Sequence, residues 1–142
     1  MISVSTILKN KPRGVISIKP STSVFDALQI MASKNIGSVV VMEDGKYLGI
    51  LTERDYARKV ILKDKTSKNT LVHEIMETNL TVVSLNDSID HCMELMSRLR
   101  VRHLPVLEGE TVVGIISIGD VVQAIIEVQK NTIEQLNLYI TQ

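Results

Sequence analysis

Tryptophan is absent from this 142-residue sequence, and its aromatic residues amount to one phenylalanine and three tyrosines. Surfaces that stack nucleic-acid bases draw on several aromatic side chains, so a single-strand-binding platform is excluded as the main function. Charge of one sign is not in excess either. Sixteen Lys plus Arg face sixteen Asp plus Glu, which gives no overall positive field to hold a phosphate backbone. The single cysteine, Cys92, permits neither an internal disulfide nor a Cys-x-x-Cys site. It lies between Ile89 and Met93 in an apolar helical pattern and reads as a small buried hydrophobe. No run reaches the ~20 apolar residues that span a membrane: the richest stretch, Val112 to Ile126, holds Asp120 and two glycines. Residues Met1 to Thr6 do not open with a basic segment and an apolar core, so the cytoplasm is the expected compartment. Phosphate-loop, His-Glu-x-x-His and Gly-x-Ser-x-Gly motifs are also missing, and no enzymatic chemistry is expected.

What is present fits a soluble globular chain, with 44% hydrophobic and 23% charged residues. Its neutral total hides an asymmetry. Residues 1–68 carry 12 basic and 6 acidic side chains and residues 69–142 carry 4 and 10, a +6 half and a −6 half.

The chain also repeats itself. An offset of 65 residues, without a gap, aligns Asp120 with Asp55, Gly114 with Gly49, Met96 with Met31 and Ser88 with Ser23. A shorter echo precedes each copy, since Val4-Ser5-Thr6-Ile7-Leu8 resembles Val72-His73-Glu74-Ile75-Met76. Each copy reads strand, helix, strand, strand, helix, an α/β (α+β) arrangement. Ile16-Ser17-Ile18 and Thr81-Val82-Val83 are short β-branched runs that end at turn formers. Ser23 is placed as an N-cap before the helical spacing of Val24, Ala27, Leu28 and Met31. Ser38 to Met42 suits a buried strand, and Asp44-Gly45 supplies a hairpin turn into Lys46 to Leu51. Residues 63–71 are polar and unpatterned and read as a connector. A unit of this size buries too little surface to stand alone, so the two copies are expected to complete one core between them. A last helix from about Gly119 to Tyr139 keeps Val122, Ile125, Ile126, Ile133, Leu136 and Ile140 apolar. That is further than one domain face needs, and it reads equally as a dimer contact or as a helix folded back on its own domain.

One short motif occurs twice at the join of third strand and last helix: Gly49-Ile50-Leu51-Thr52-Glu53-Arg54-Asp55 and Gly114-Ile115-Ile116-Ser117-Ile118-Gly119-Asp120. A hydroxyl followed three residues later by an acid is a helix N-cap pattern. The same helix start can also receive a phosphate, and an Asp one turn in can accept both hydroxyls of a ribose. Both readings stand on the motif alone.

Duplication, element order and the closing Gly-apolar-apolar-Thr/Ser-x-x-Asp together resemble the CBS domain, named after cystathionine β-synthase, and its tandem pair, the Bateman module. The resemblance runs from about Ile7 to Val128 and includes Arg102-His103-Leu104-Pro105-Val106 as the family's second strand. Glu53 to Val60 is similar to a subgroup of stand-alone bacterial and organellar CBS pairs. The implied organisation is one motif over 7–62, a linker over 63–71, a second motif over 72–128 and a helical extension over 129–142, packed with pseudo-two-fold symmetry. The implied function is regulatory. An adenosyl ligand such as AMP, ADP, ATP, S-adenosylmethionine or NAD(H) would occupy clefts between the motifs, and a partner enzyme or transporter would sense it. By position, Thr52 and Ser117 would meet phosphate or ribose, with Ile118 beside Ser117, and Asp55 and Asp120 would hold the ribose diol. Backbone at Ile16 and Thr81 would read the adenine edge. Ile36, Gly37 and Ser38, or Val101, Arg102 and His103, would form the opposite wall, and Arg54, Arg102 and His103 would meet phosphate. Cations are supplied unequally, because Arg54 aligns with Gly119 and Gly37-Ser38 with Arg102-His103. Arg58, Lys59 and Lys63 could add charge near the first site, but their spacing along a helix reads first as a solvated face. His103 has no second ligand at metal-binding spacing, and His73 and His91 are given no role. A homodimer is implied, with neither nucleic acid nor membrane as partner. The competing reading is a dimerising scaffold without ligand binding.

Overall fold

A computed structural model describes residues 2–11 and 14–141. Its elements run α1 (Val4–Lys9), β1 (Ser17–Ile18), α2 (Val24–Lys34), β2 (Ser38–Glu43), β3 (Lys46–Thr52), α3 (Glu53–Lys59), α4 (Ile89–Leu99), β4 (His103–Glu108), β5 (Thr111–Ser117) and α5 (Ile118–Thr141). Three 3-10 turns, Ile61–Lys63, Ser67–Asn69 and Val72–Glu74, occupy the stretch between α3 and α4. The repeat is carried into the geometry. Ser23 and Ser88 cap α2 and α4 by accepting from the backbone N–H three residues on, each at 3.1 Å. Both helices end on a left-handed residue, Asn35 and Arg100. The β2–β3 and β4–β5 hairpins share their register down to the irregularity, with Leu48 and Val113 as the extra residue. Asp44 and Gly45 both have positive φ, which the type I′ turn of a two-residue hairpin requires.

The two copies differ in the first strand. In the first copy, β1 runs parallel to β2 and Val40 donates its backbone N–H to Ile16 O at 3.2 Å. The residue aligned with Val40 is Pro105, which has no N–H to give to Thr81. Pairing of the expected strand Thr81 to Val83 therefore shrinks to a single bridge between Val83 and Val106. The connector is also more ordered than its composition suggests. Thr70 is buried, and its hydroxyl donates to Thr66 O at 2.8 Å.

The copies do not share one core. There are two, and each borrows a segment from the other copy. Val4 and Ile7 of α1 are buried with Val83, Ile89, Cys92, Leu104 and Ile116 of the second copy. Val72 and Ile75 are buried with Val24, Met31, Val39 and Leu51 of the first. Gly49 and Gly114 make room for this exchange. A Cβ at Gly49 would lie 2.3 Å from Glu77 O, which accepts the Ile50 N–H at 3.0 Å, and a Cβ at Gly114 would meet Leu8 of α1 at 2.6 Å. Beyond Ile125 the last helix leaves both cores. Among the described residues no helix is long and apolar enough to cross a membrane.

Candidate ligand-binding site

The exchange of segments brings the closing motif of each copy against the helix–strand join of the other, and a cleft opens at each contact. The first cleft has a volume of about 660 Å³ and is lined by Thr52 to Asp55, Arg58 and Lys59 of the first copy together with Arg100 to His103 of the second. The second, about 580 Å³, sets Ser117 and Asp120 of the second copy against Ile16 and Ile36 to Ser38 of the first. Leu8, Asn10 and Lys11 from the exchanged N-terminal segment add to it. Gly37 and His103 line both clefts.

Capping is realised in both motifs. Asp55 N–H donates to Thr52 Oγ1 at 3.2 Å while Asp55 Oδ2 accepts from Thr52 N–H at 2.9 Å. Ser117 and Asp120 reproduce this exchange at 3.1 and 2.8 Å. The two carboxylates then diverge. Asp55 is 4% exposed and pairs through Oδ1 with Lys59 at 3.2 Å. Its pKa is raised by burial, against the lowering effect of the Thr52 N–H and the Lys59 charge. Lys59 also donates to Glu77 Oε1 at 2.7 Å and to Ile75 O at 2.9 Å. Burial alone would lower the Lys59 pKa, but Glu77 and Asp55 outweigh it and raise the ammonium above the ordinary lysine value. Glu77 is lowered by its bond from Lys59. Asp120 is held instead from outside its own copy, by Lys11, which reaches Oδ2 at 2.8 Å and Ile115 O at 2.9 Å.

Most of the expected residues converge as two constellations. Thr52, Arg54, Asp55, Val101, Arg102 and His103 line the first cleft, and Ile16, Ile36, Gly37, Ser38, Ser117 and Asp120 line the second. Thr81 is exposed and outside both linings, where Leu80 takes the corresponding wall of the first cleft. Ile118 is 40% exposed and also outside. His103 is held below the ordinary histidine pKa by burial first and by the Lys11 charge next, which favours its neutral form. Of the two readings of Arg58 and Lys59, charge near the first site is the one realised: both line the first cleft, where Lys59 pairs with Asp55 and Glu77. Sequence reasoning missed Lys11 and Arg100. The 65-residue offset places Arg100 opposite the helix-ending Asn35, a signal that was available. Lys11 gave none, because its partner Asp120 is 109 residues away.

A profile of the CBS domain matches residues 4–62 and 72–127. The chain is 35% identical to the mitochondrial CBS domain-containing protein CBSX3 of Arabidopsis thaliana, over 97% of this chain and 71% of that protein. The solved structure of a protein with CBS domains from Burkholderia ambifaria superposes with a TM-score of 0.85 at 45% identity, covering 89% of this chain and 95% of that one. A hexameric CBS-CP12 protein from bloom-forming cyanobacteria superposes at 0.75 with 30% identity, covering 86% and 70%.

Proposed function

The chain belongs to the CBS domain family as a tandem pair, a regulatory type of module, and from that premise we propose that it binds adenosyl ligands in its two clefts and signals their presence to a partner enzyme or transporter. The observation that carries the reading is that each cleft is built from both copies. A ligand bound there touches both copies at once, and any difference in its affinity between two relative arrangements of the copies shifts the balance of those arrangements. Volumes of about 660 and 580 Å³ fall within the range of small-molecule sites. Acceptor capacity for a ribose diol is greatest on Asp120, whose Oδ1 has no partner among the described residues, while Asp55 Oδ1 already pairs with Lys59. The Ile16 N–H in the second cleft, its carbonyl being taken by Val40, and a neutral His103 at the junction of both supply uncharged hydrogen-bonding groups for a base. The candidate ligands are AMP, ADP, ATP, NAD(H) and S-adenosylmethionine. Thermal unfolding against this panel tests the reading. A ligand at ~100 times its dissociation constant adds ~2.7 kcal/mol of stability, which raises the midpoint by several degrees. No shift with any of the five would leave the scaffold reading in place.

The other part of the proposal is a second copy of the chain as partner. Val122, Ile126, Gln129, Ile133, Leu136 and Ile140 follow alternating steps of four and three along α5, the spacing of a coiled-coil seam. The apolar members are all between 46% and 77% exposed. Isoleucine repeats at one seam position, and valine, glutamine and leucine follow at the other. Of the residues flanking the seam, only Lys130 is charged, so two parallel copies set no like charges directly opposite each other.

A further inference from the structure

Resting on the adenosyl reading of the clefts, we infer that the first cleft is a site for a ligand bearing two or more phosphates. Four arginines line it, Arg54 and Arg58 on α3 and Arg100 and Arg102 on the join between α4 and β4. None of the four forms an ion pair with a carboxylate among the described residues, whereas Lys59 lies against both Asp55 and Glu77. Lys59 thus engages Asp55 and Glu77, Glu53 is the remaining acid on the lining, and the charges of the four arginines stay free of carboxylates among the described residues. One phosphate saturates one or two guanidinium forks, so four forks on two walls match a chain of phosphates better than a single one.

Arg100 adds an independent observation. It sits at φ 56°, ψ 41°, a left-handed conformation that suits Gly and Asn and that other L residues rarely adopt. At the aligned position of the first copy the same conformation, φ 53°, ψ 50°, is taken by Asn35. An arginine at a strained helix end, on the wall of a cleft, is the kind of outlier that points to a role in binding. Its carbonyl accepts from Arg54 Nη1 at 2.7 Å, which ties the two walls together and fixes the Arg54 side chain at the cleft.

The test is an equilibrium titration of the full chain with adenosine, AMP, ADP, ATP and inorganic tripolyphosphate, on the wild type and on Arg100→Asn. Asparagine fits the left-handed position, so the variant is expected to unfold at or above the wild-type temperature. The expected result is an affinity that rises from AMP to ATP by at least about tenfold and weakens more steeply with salt for ATP. Arg100→Asn should reduce ATP affinity about tenfold and AMP affinity less than threefold. Equal wild-type affinity for AMP and ATP, or an equal loss of both in the variant, would overturn the inference while leaving the adenosyl reading intact. Binding of tripolyphosphate without any adenine compound would do the reverse: it would keep the arginine site and remove the adenosyl reading. Binding of none of the five would overturn both.

Discussion

His103 stands where the two clefts meet, and its environment makes a prediction that needs no ligand. Burial and then the Lys11 charge depress its pKa below 6.5, with Asp120 opposing and Arg102 and Arg54 adding to the depression. The folded chain keeps the imidazole neutral while the unfolded chain takes up a proton near its ordinary value. The stability from this group is therefore complete above pH 6.5 and is lost as pH falls through the depressed folded value. Denaturant unfolding of the wild type between about pH 7 and pH 5 should show a declining midpoint, and His103→Gln should flatten that decline. An identical slope in the variant would place the titration elsewhere. At this scale the sequence was legible where local chemistry alone fixes the arrangement. Thr52, Asp55, Ser117 and Asp120 announce themselves because a capping box is written in four consecutive residues. Lys11 and Lys59 did not, because nothing local tells a solvated lysine from one whose ammonium lies against a carboxylate.

Elements were legible where they depend on their own periodicity. Both long helices of the repeat, both hairpins and the cap positions follow from spacing and turn residues. The exchange of α1 and the 72–76 segment between cores could not be read this way, because apolar spacing states that Val4 and Val72 are buried but not against which copy. The shortened first strand of the second copy was readable in principle, since the missing donor is Pro105. The two exchanged contacts should respond differently to the same small change. Gly49→Ala drives a methyl into the backbone of Glu77 at 2.3 Å and must break the bridge there. Gly114→Ala meets only the flexible end of Leu8 at 2.6 Å. Urea unfolding should give a loss of about 3 kcal/mol for Gly49→Ala and about 1 kcal/mol for Gly114→Ala. Equal losses would mean that the 72–76 segment is not anchored as described.

The whole molecule reconciles the neutral total charge with its two unequal halves. Of the four basic residues in the acidic half, Arg100 and Arg102 line the first cleft beside Arg54, Arg58 and Lys59 of the basic half. The first cleft thus draws its cations from both halves. Self-association belongs to this scale as well. Ile133 and Leu136 lie outside both cores and are 58% and 56% exposed, so Ile133→Asp with Leu136→Asp should leave each chain folded. Sedimentation velocity should find the wild type as a dimer or a higher assembly and the double variant as a monomer with an unchanged circular dichroism spectrum. A monomeric wild type, or a double variant that still associates, would remove α5 as the contact.

The central claim is that each chain holds two adenosyl sites, each closed by the aspartate of one copy and the opposing wall of the other. Calorimetric titration of an adenine nucleotide that shifts the unfolding midpoint, into the wild type, Asp55→Asn and Asp120→Asn, tests it most directly, because asparagine keeps the helix cap while removing the carboxylate. The account predicts two equivalents per chain in the wild type and one in each variant, the remaining site retaining its own affinity. Two equivalents of unchanged affinity in both variants, or a single site lost in neither, would contradict it.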